Sequence, residues 1–201
     1  QNSQRVSLVE SVSAKIFAGQ IDCLAADMPA RVIKIGLLAS IEHVHILAEK
    51  LGEFKQTWAQ PPFVIYDPVA VASTGDNMTE PGITEVIKSA LLPLVDLLTP
   101  NAGEVLSLCG HALISGESLK PAAEKLISLG CKSILIKGGH FPLLDKLALD
   151  YWTDGQREIA GPGACLTNPG SPAKTNRQRP EPATGPRLTG HRAGRAAVPP
   201  V

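Results

Sequence analysis

The stretch Val64–Glu80, VIYDPVAVASTGDNMTE, constrains this chain more than any other, because it joins a buried-strand signature directly to a polar, Gly-containing loop. Pro61 and Pro62 bar a helix before it, Phe63, Val64, Ile65 and Tyr66 form a short β-rich apolar run, and Asp67-Pro68 ends it. Similar short runs recur at 32–38 (VIKIGLL), 95–98 and 133–137 (SILIK). Between them lie apolar stripes at helical spacing: Ile41, Val44, Leu47, Ala48 and Leu51; Ile83, Val86, Ile87, Ala90 and Leu91; Leu119, Ala123, Leu126 and Ile127. Strands alternating with helices predict a parallel sheet with right-handed crossovers, so the fold class is α/β.

Punctuation supplies the boundaries. Val12, Ile16, Ile21, Cys23 and Leu24 predict a first helix that ends near Asp27 before Pro29. Ser40 is read as the N-cap of the next helix and Gly52 as its stop, and Gly130 ends the helix before SILIK. Gly36 marks a place where a backbone or ligand approaches closely. Residues 147–152 read as an edge strand. His43 and His45 lie two apart on a helix, diverge around it, and are read as solvated rather than metal-binding.

Composition excludes several classes. The 201 residues are 44% hydrophobic, enough for one domain with a sizeable core, and the formal net charge is zero, so no global field favours nucleic acid or an anionic membrane. Cys23, Cys109, Cys131 and Cys165 show no CxxC or Cys/His spacing, which argues against zinc and a disulfide framework and fits a cytoplasmic protein. No apolar run reaches the ~18 residues of a membrane span. The start QNSQRVSLVE is neither a signal nor a transit peptide and lacks a methionine, so the beginning of the protein is expected upstream.

Three loops fall at one edge of the expected sheet, after the strands ending at Asp67, Leu98 and Lys137. In open α/β sheets, ligands bind at the carboxyl ends of the strands. Asp67 and Glu104 are carboxylates of the kind that hold magnesium directly or through water. Lys137 with Gly138 and Gly139 offers a point cation beside exposed amides, as phosphate oxygens require. Each also has a plain reading: Asp67 as a turn aspartate, Glu104 as a first-turn helix carboxylate, KGG as an ordinary turn.

The order KIGLL (34–38), YDPVAVASTGD (66–76), LLPLVDLLTPNAGE (91–104) and LISLGCKSILIKGGH (126–140) resembles the hydroxymethylpyrimidine/phosphomethylpyrimidine kinases of thiamine biosynthesis, over roughly residues 1–155. The resemblance implies a three-layer ribokinase-like fold, ATP and Mg2+, and two successive phosphoryl transfers. The first goes to 4-amino-5-hydroxymethyl-2-methylpyrimidine and the second to its monophosphate. It implies Gln1, Leu37 and Val69 at the pyrimidine, Asn101, Glu104 and Lys137 at the nucleotide and its phosphates, and Asp67 and Glu104 near magnesium. Its partners are small molecules, with oligomeric state left open.

The departures are equally specific. The family's N-terminal Gly-rich substrate loop has no counterpart in these residues, nor does its Gly-Thr-Gly-Cys loop, whose amides form the anion hole and whose Cys stands where related sugar kinases keep the catalytic base. No catalytic residue is therefore assigned. Residues 156–201 read instead as a low-complexity tail; 161–201 hold eight prolines, six glycines, six basic residues and one acidic. Such a segment cannot bury a core. The favoured reading is translation out of frame, with a partner-binding or nucleic-acid-binding arm as the alternative, and the fold is expected to be incomplete at both ends. Since losing even one anion-hole donor costs ~10²–10³ in rate, little kinase activity is expected of this chain. A pyridoxal kinase-like enzyme and a non-catalytic nucleotide-binding protein are the other functional readings.

Overall fold

The computed structural model describes residues 10–69, 78–113, 115–138 and 149–162. Gln1, the loop 70–77, Gly139 and Cys165 lie outside them. Six strands form one mixed sheet in the order β1 (Val32–Ile35), β2 (Phe63–Tyr66), β3 (Leu97–Leu98), β4 (Ile134–Ile136), β5 (Leu149–Thr153) and β6 (Glu158–Pro162). The first four are parallel, with Ile35 beside Tyr66, Tyr66 beside Leu98, and Leu98 beside Ile134. The last two are antiparallel, with Ile136 beside Tyr151 and Tyr151 beside Ala160.

The helices are α1 (Ala14–Asp27), α2 (Ile41–Thr57), α3 (Ile83–Val86), α4 (Ala102–Cys109) and α5 (Leu119–Ile127). From α3 the chain continues through a π turn, Ile87–Leu91, and a 3-10 turn, Leu92–Leu94. Ile83, Ile87 and Leu91 are buried along it. Strands laid down in sequence order with right-handed crossovers send their helices to the same face, and burial follows suit. Ile35, Val64, Tyr66, Leu98, Ile134, Ile136 and Tyr151 are buried on one face, whereas Val32, Phe63 and Ile159 on the other are 55%, 46% and 66% exposed. Among the described residues the α/β class takes the form of a mixed six-stranded sheet with helices against its buried face.

Several local expectations are corrected. α2 runs through Gly52 to Thr57. A helical glycine costs only about 1 kcal/mol, and Phe54 beyond it is buried and stacks on Trp58 at 4.3 Å. Ser40 makes no side-chain cap; Glu80 Oε2 takes the Ile41 N–H instead, at 2.9 Å. His43 is buried and stacks on Phe17 at 4.4 Å, while His45 is exposed as expected. In α1 the packed positions are Phe17, Ile21 and Ala25, leaving Ile16 and Leu24 exposed. β1 stops at Ile35, and among the described residues a Cβ on Gly36 would meet nothing within 4 Å. β5 is not an edge strand, because β6 pairs outside it. Among the described residues, no helix is long and apolar enough to cross a membrane.

A buried carboxylate ties the amino ends of the strands together. Asp96, 7% exposed, accepts at Oδ2 from the Val64 N–H (2.8 Å) and Lys55 (2.9 Å), and at Oδ1 from Lys132 (2.8 Å). Its carbonyl accepts from Ser133 Oγ at 2.6 Å. The group thus links β2, the start of β3, the start of β4 and the end of α2. Burial pushes the Asp96 carboxyl up, but the hydrogen bonds from Lys132, Val64 and Lys55 outweigh it and hold it below the ordinary aspartate value.

Asp96→Ala is expected to cost about 2–3 kcal/mol in a urea melt, since it leaves the Val64 N–H and the Lys55 ammonium without their acceptor. A carboxyl depressed on folding stabilises above its unfolded value of about 3.9 and loses that contribution as the pH falls through the folded value. Asp96→Asn is therefore expected to flatten the loss of stability below about pH 4. An unchanged acid limb would count against this role.

Candidate active site

At the opposite, carboxyl edge of the sheet, three adjacent parallel strands deliver the predicted residues together. Asp67 leaves β2 with its N–H on the Ile35 carbonyl at 2.9 Å, and Val69 N–H turns back onto the Asp67 carbonyl at 2.8 Å. Lys137 leaves β4 with its N–H on the Pro100 carbonyl at 2.8 Å and bridges Asn101 in parallel fashion. This sets Lys137 beside the start of α4. Its ammonium then spans β3 to reach Asp67 Oδ1 at 2.6 Å, with Glu104 Oε2 at 3.9 Å.

Glu104 is held there by local sequence chemistry. Asn101 caps α4: its side chain accepts the Glu104 N–H at 3.0 Å, and Glu104 Oε2 accepts the Asn101 N–H at 2.7 Å. This reciprocal capping box satisfies two helix-end donors and fixes the carboxylate at the positive end of the helix. Glu104 is thus both the first-turn helix carboxylate of the plain reading and a neighbour of the site lysine.

Val69 and Glu104 line the same cleft, together with Leu38, Tyr66, Ile83 and Leu108. Leu37 is 41% exposed and outside that lining, and Leu38 fills the wall in its place. Burial, then the nearby charges of Glu104 and Asp67, push the Tyr66 phenol well up, so it stays protonated. Gly138 departs from expectation. Its N–H donates to Asp150 Oδ1 at 2.8 Å, so this amide is already taken rather than open to a phosphate. A Cβ on Gly138 would overlap the Leu149 backbone, which explains the glycine by packing alone.

Sequence reasoning missed Lys34, whose ammonium lies 3.6 Å from Asp67 Oδ2. The signal available was a lysine inside an otherwise apolar strand. Asp67 and Glu104, both facing Lys137, fit a magnesium ion carried by phosphates, since that ion keeps several waters and takes only one or two carboxylates. Among the described residues no cluster of three or more His, Cys, Asp or Glu is placed to hold a metal ion.

Residues 1–169 match the family model described as phosphomethylpyrimidine kinase. The chain belongs to that family. It is 35% identical to the hydroxymethylpyrimidine/phosphomethylpyrimidine kinase of Aquifex aeolicus over 78% of this chain and 58% of that one. To the thiamine biosynthesis bifunctional protein ThiED of Geobacter sulfurreducens it is 37% identical, over 77% of this chain and 30% of that protein. Among solved structures, the phosphomethylpyrimidine kinase of Clostridium difficile 630 superposes with a TM-score of 0.69 at 28% identity, over 81% of this chain and 67% of that one. Staphylococcus aureus pyridoxal kinase in complex with AMP-PCP does so with 0.63 at 30% identity, over 76% and 53%. The fold is accordingly ribokinase-like, and this family member spans about half the length of the relatives it matches in sequence.

Asn101→Ala is expected to cost about 1 kcal/mol of stability by removing the cap of α4. A denaturant melt with an unchanged midpoint would show that the box contributes nothing.

Proposed function

We propose that this chain carries the nucleotide- and acceptor-binding part of a kinase that phosphorylates 4-amino-5-hydroxymethyl-2-methylpyrimidine and then its monophosphate, with ATP as donor. The observation that carries the reading is the reach of Lys137 from β4 to Asp67, beside Glu104, at the carboxyl edge of three parallel strands. Family membership supports the reaction class. In each transfer an acceptor oxygen bonds to the γ-phosphorus, the bond from that phosphorus to the bridging oxygen breaks and ADP leaves; the hydroxymethyl acceptor of the first transfer also gives up its proton, whereas the dianionic phosphate acceptor of the second has none to lose. That chemistry is governed by positioning and by neutralising charge on the phosphoryl group.

On this reading Asn101, Glu104 and Lys137 serve the nucleotide, Lys137 as a point cation for phosphate oxygens. Asp67 and Glu104 hold Mg2+, partly through water; the ion offsets phosphate charge when bound. Leu37 and Val69 serve the pyrimidine, and Gln1, outside the described residues, is assigned there by family motif alone. The division of the chain into a kinase domain and a Pro/Gly/Arg-rich tail belongs to the same proposal, as does a cytoplasmic setting. No Gly-Thr-Gly-Cys run occurs in the sequence, so transfer itself is expected to be slow. Pyridoxal is the competing acceptor, favoured only by the fold likeness to pyridoxal kinase.

Calorimetric titration of the purified chain with ATP and Mg2+ tests the nucleotide side. Lys137→Met is expected to weaken binding about ten-fold, the loss of one charge-assisted contact. Equal affinity for wild type and variant would remove Lys137 from the site. Pyrimidine-dependent ADP release is expected to stay near background; brisk turnover would overturn the slow-transfer expectation while supporting the acceptor.

A further inference from the structure

We propose that Lys34 is the residue that recognises the acceptor's phosphate in the second transfer, distinguishing the pyrimidine monophosphate from the free alcohol. The inference rests on the kinase reading above. Four charges alternate along the carboxyl edge of the sheet: Lys34 on β1, Asp67 after β2, Lys137 after β4, and Glu104 on α4. Their sum is zero. Lys137 lies between the two carboxylates, at 2.6 and 3.9 Å, on the side proposed for the nucleotide. Lys34 stands at the other end of the line, three residues before Leu37, which is one of the residues proposed for the pyrimidine.

Lys34 is also the cation with most freedom to change partner. Its side chain is 65% exposed, against 38% for Lys137, and its contact with Asp67 Oδ2 is 3.6 Å long. A long, exposed ion pair contributes little, so releasing it costs little. Lys34 pairs in register with Ile65, which puts it on the open face of the sheet with Val32 and Phe63, where no described helix covers it. A strand interior that otherwise reads Val-Ile-Ile gains nothing in packing from an exposed lysine at that point. A free hydroxymethyl group brings no charge for it to meet. A monophosphate ester brings up to two negative charges, and a compact ammonium on a flexible stem suits such an anion. While Lys34 turns to the phosphate, Asp67 keeps Lys137.

Equilibrium dialysis of the 201-residue chain against 4-amino-5-hydroxymethyl-2-methylpyrimidine and against its monophosphate, at one fixed low salt concentration, tests the proposal through the ratio of the two affinities. Wild type is expected to prefer the monophosphate by about ten-fold, a single charge-assisted contact. Lys34→Met is expected to collapse that ratio toward one, and Lys34→Arg to restore most of it. A Lys34→Met chain that keeps the wild-type ratio overturns the assignment, as does a wild type with no preference, and in both cases the kinase reading stands. A chain that binds neither compound overturns the kinase reading and this inference with it.

Discussion

Parallel pairing of four strands in sequence order is the constraint on which the rest of the structure depends. Each parallel step needs a crossover, each crossover has the same hand, and a sheet that grows in one direction therefore collects its helices on one face. Ile35, Val64, Tyr66, Leu98, Ile134 and Ile136 become core because they face those helices. Residues one step along each strand face away from them. The same arrangement brings every carboxyl end to one edge, so that Asp67, Asn101 and Lys137, far apart in sequence, arrive side by side.

The two edges use the same residue types for different ends. At the amino edge Asp96 meets two lysines, yet it also takes a backbone N–H from β2 and is almost fully buried. Its bonds are committed to holding strands together, and exchanging them would strand polar groups in the core. At the carboxyl edge Asp67 also meets two lysines, but its own side chain is 20% exposed against 8% for Asp96. Charges arranged this way can exchange partners for a polyanionic ligand at modest cost. Burial, rather than the identity of the groups, separates the structural cluster from the candidate site.

Much of this was legible from residues in order. The strand cores declared themselves by short apolar runs closed with proline, glycine or aspartate, and the Asn-x-x-Glu spacing of Asn101 and Glu104 appears in the structure as a capping box. Errors came where local signals compete with packing. Gly52 reads as a stop, but Phe54 and Lys55 beyond it have partners in the core and on Asp96. The stripe Val12, Ile16, Ile21, Cys23 and Leu24 places Ile21 inward but misses Phe17, which α1 turns onto His43 while Val12, Ile16 and Leu24 stay exposed.

What the amino-acid sequence determined by itself was the kind of structure and the kinds of chemistry: alternating strands and helices, and carboxylates and a lysine at strand ends. These depend on periodicity and on residues within one turn of each other, and such information is local. Which charges meet was decided only by tertiary structure. That Lys137 reaches across β3 to Asp67, that Lys34 joins them, that the Gly138 N–H is claimed by Asp150, and that Asp96 is buried beneath two lysines all depend on strand order and register. Contacts between residues 12 to 70 positions apart leave no periodic trace in the chain, because they are set by how its segments stack rather than by what lies next to them.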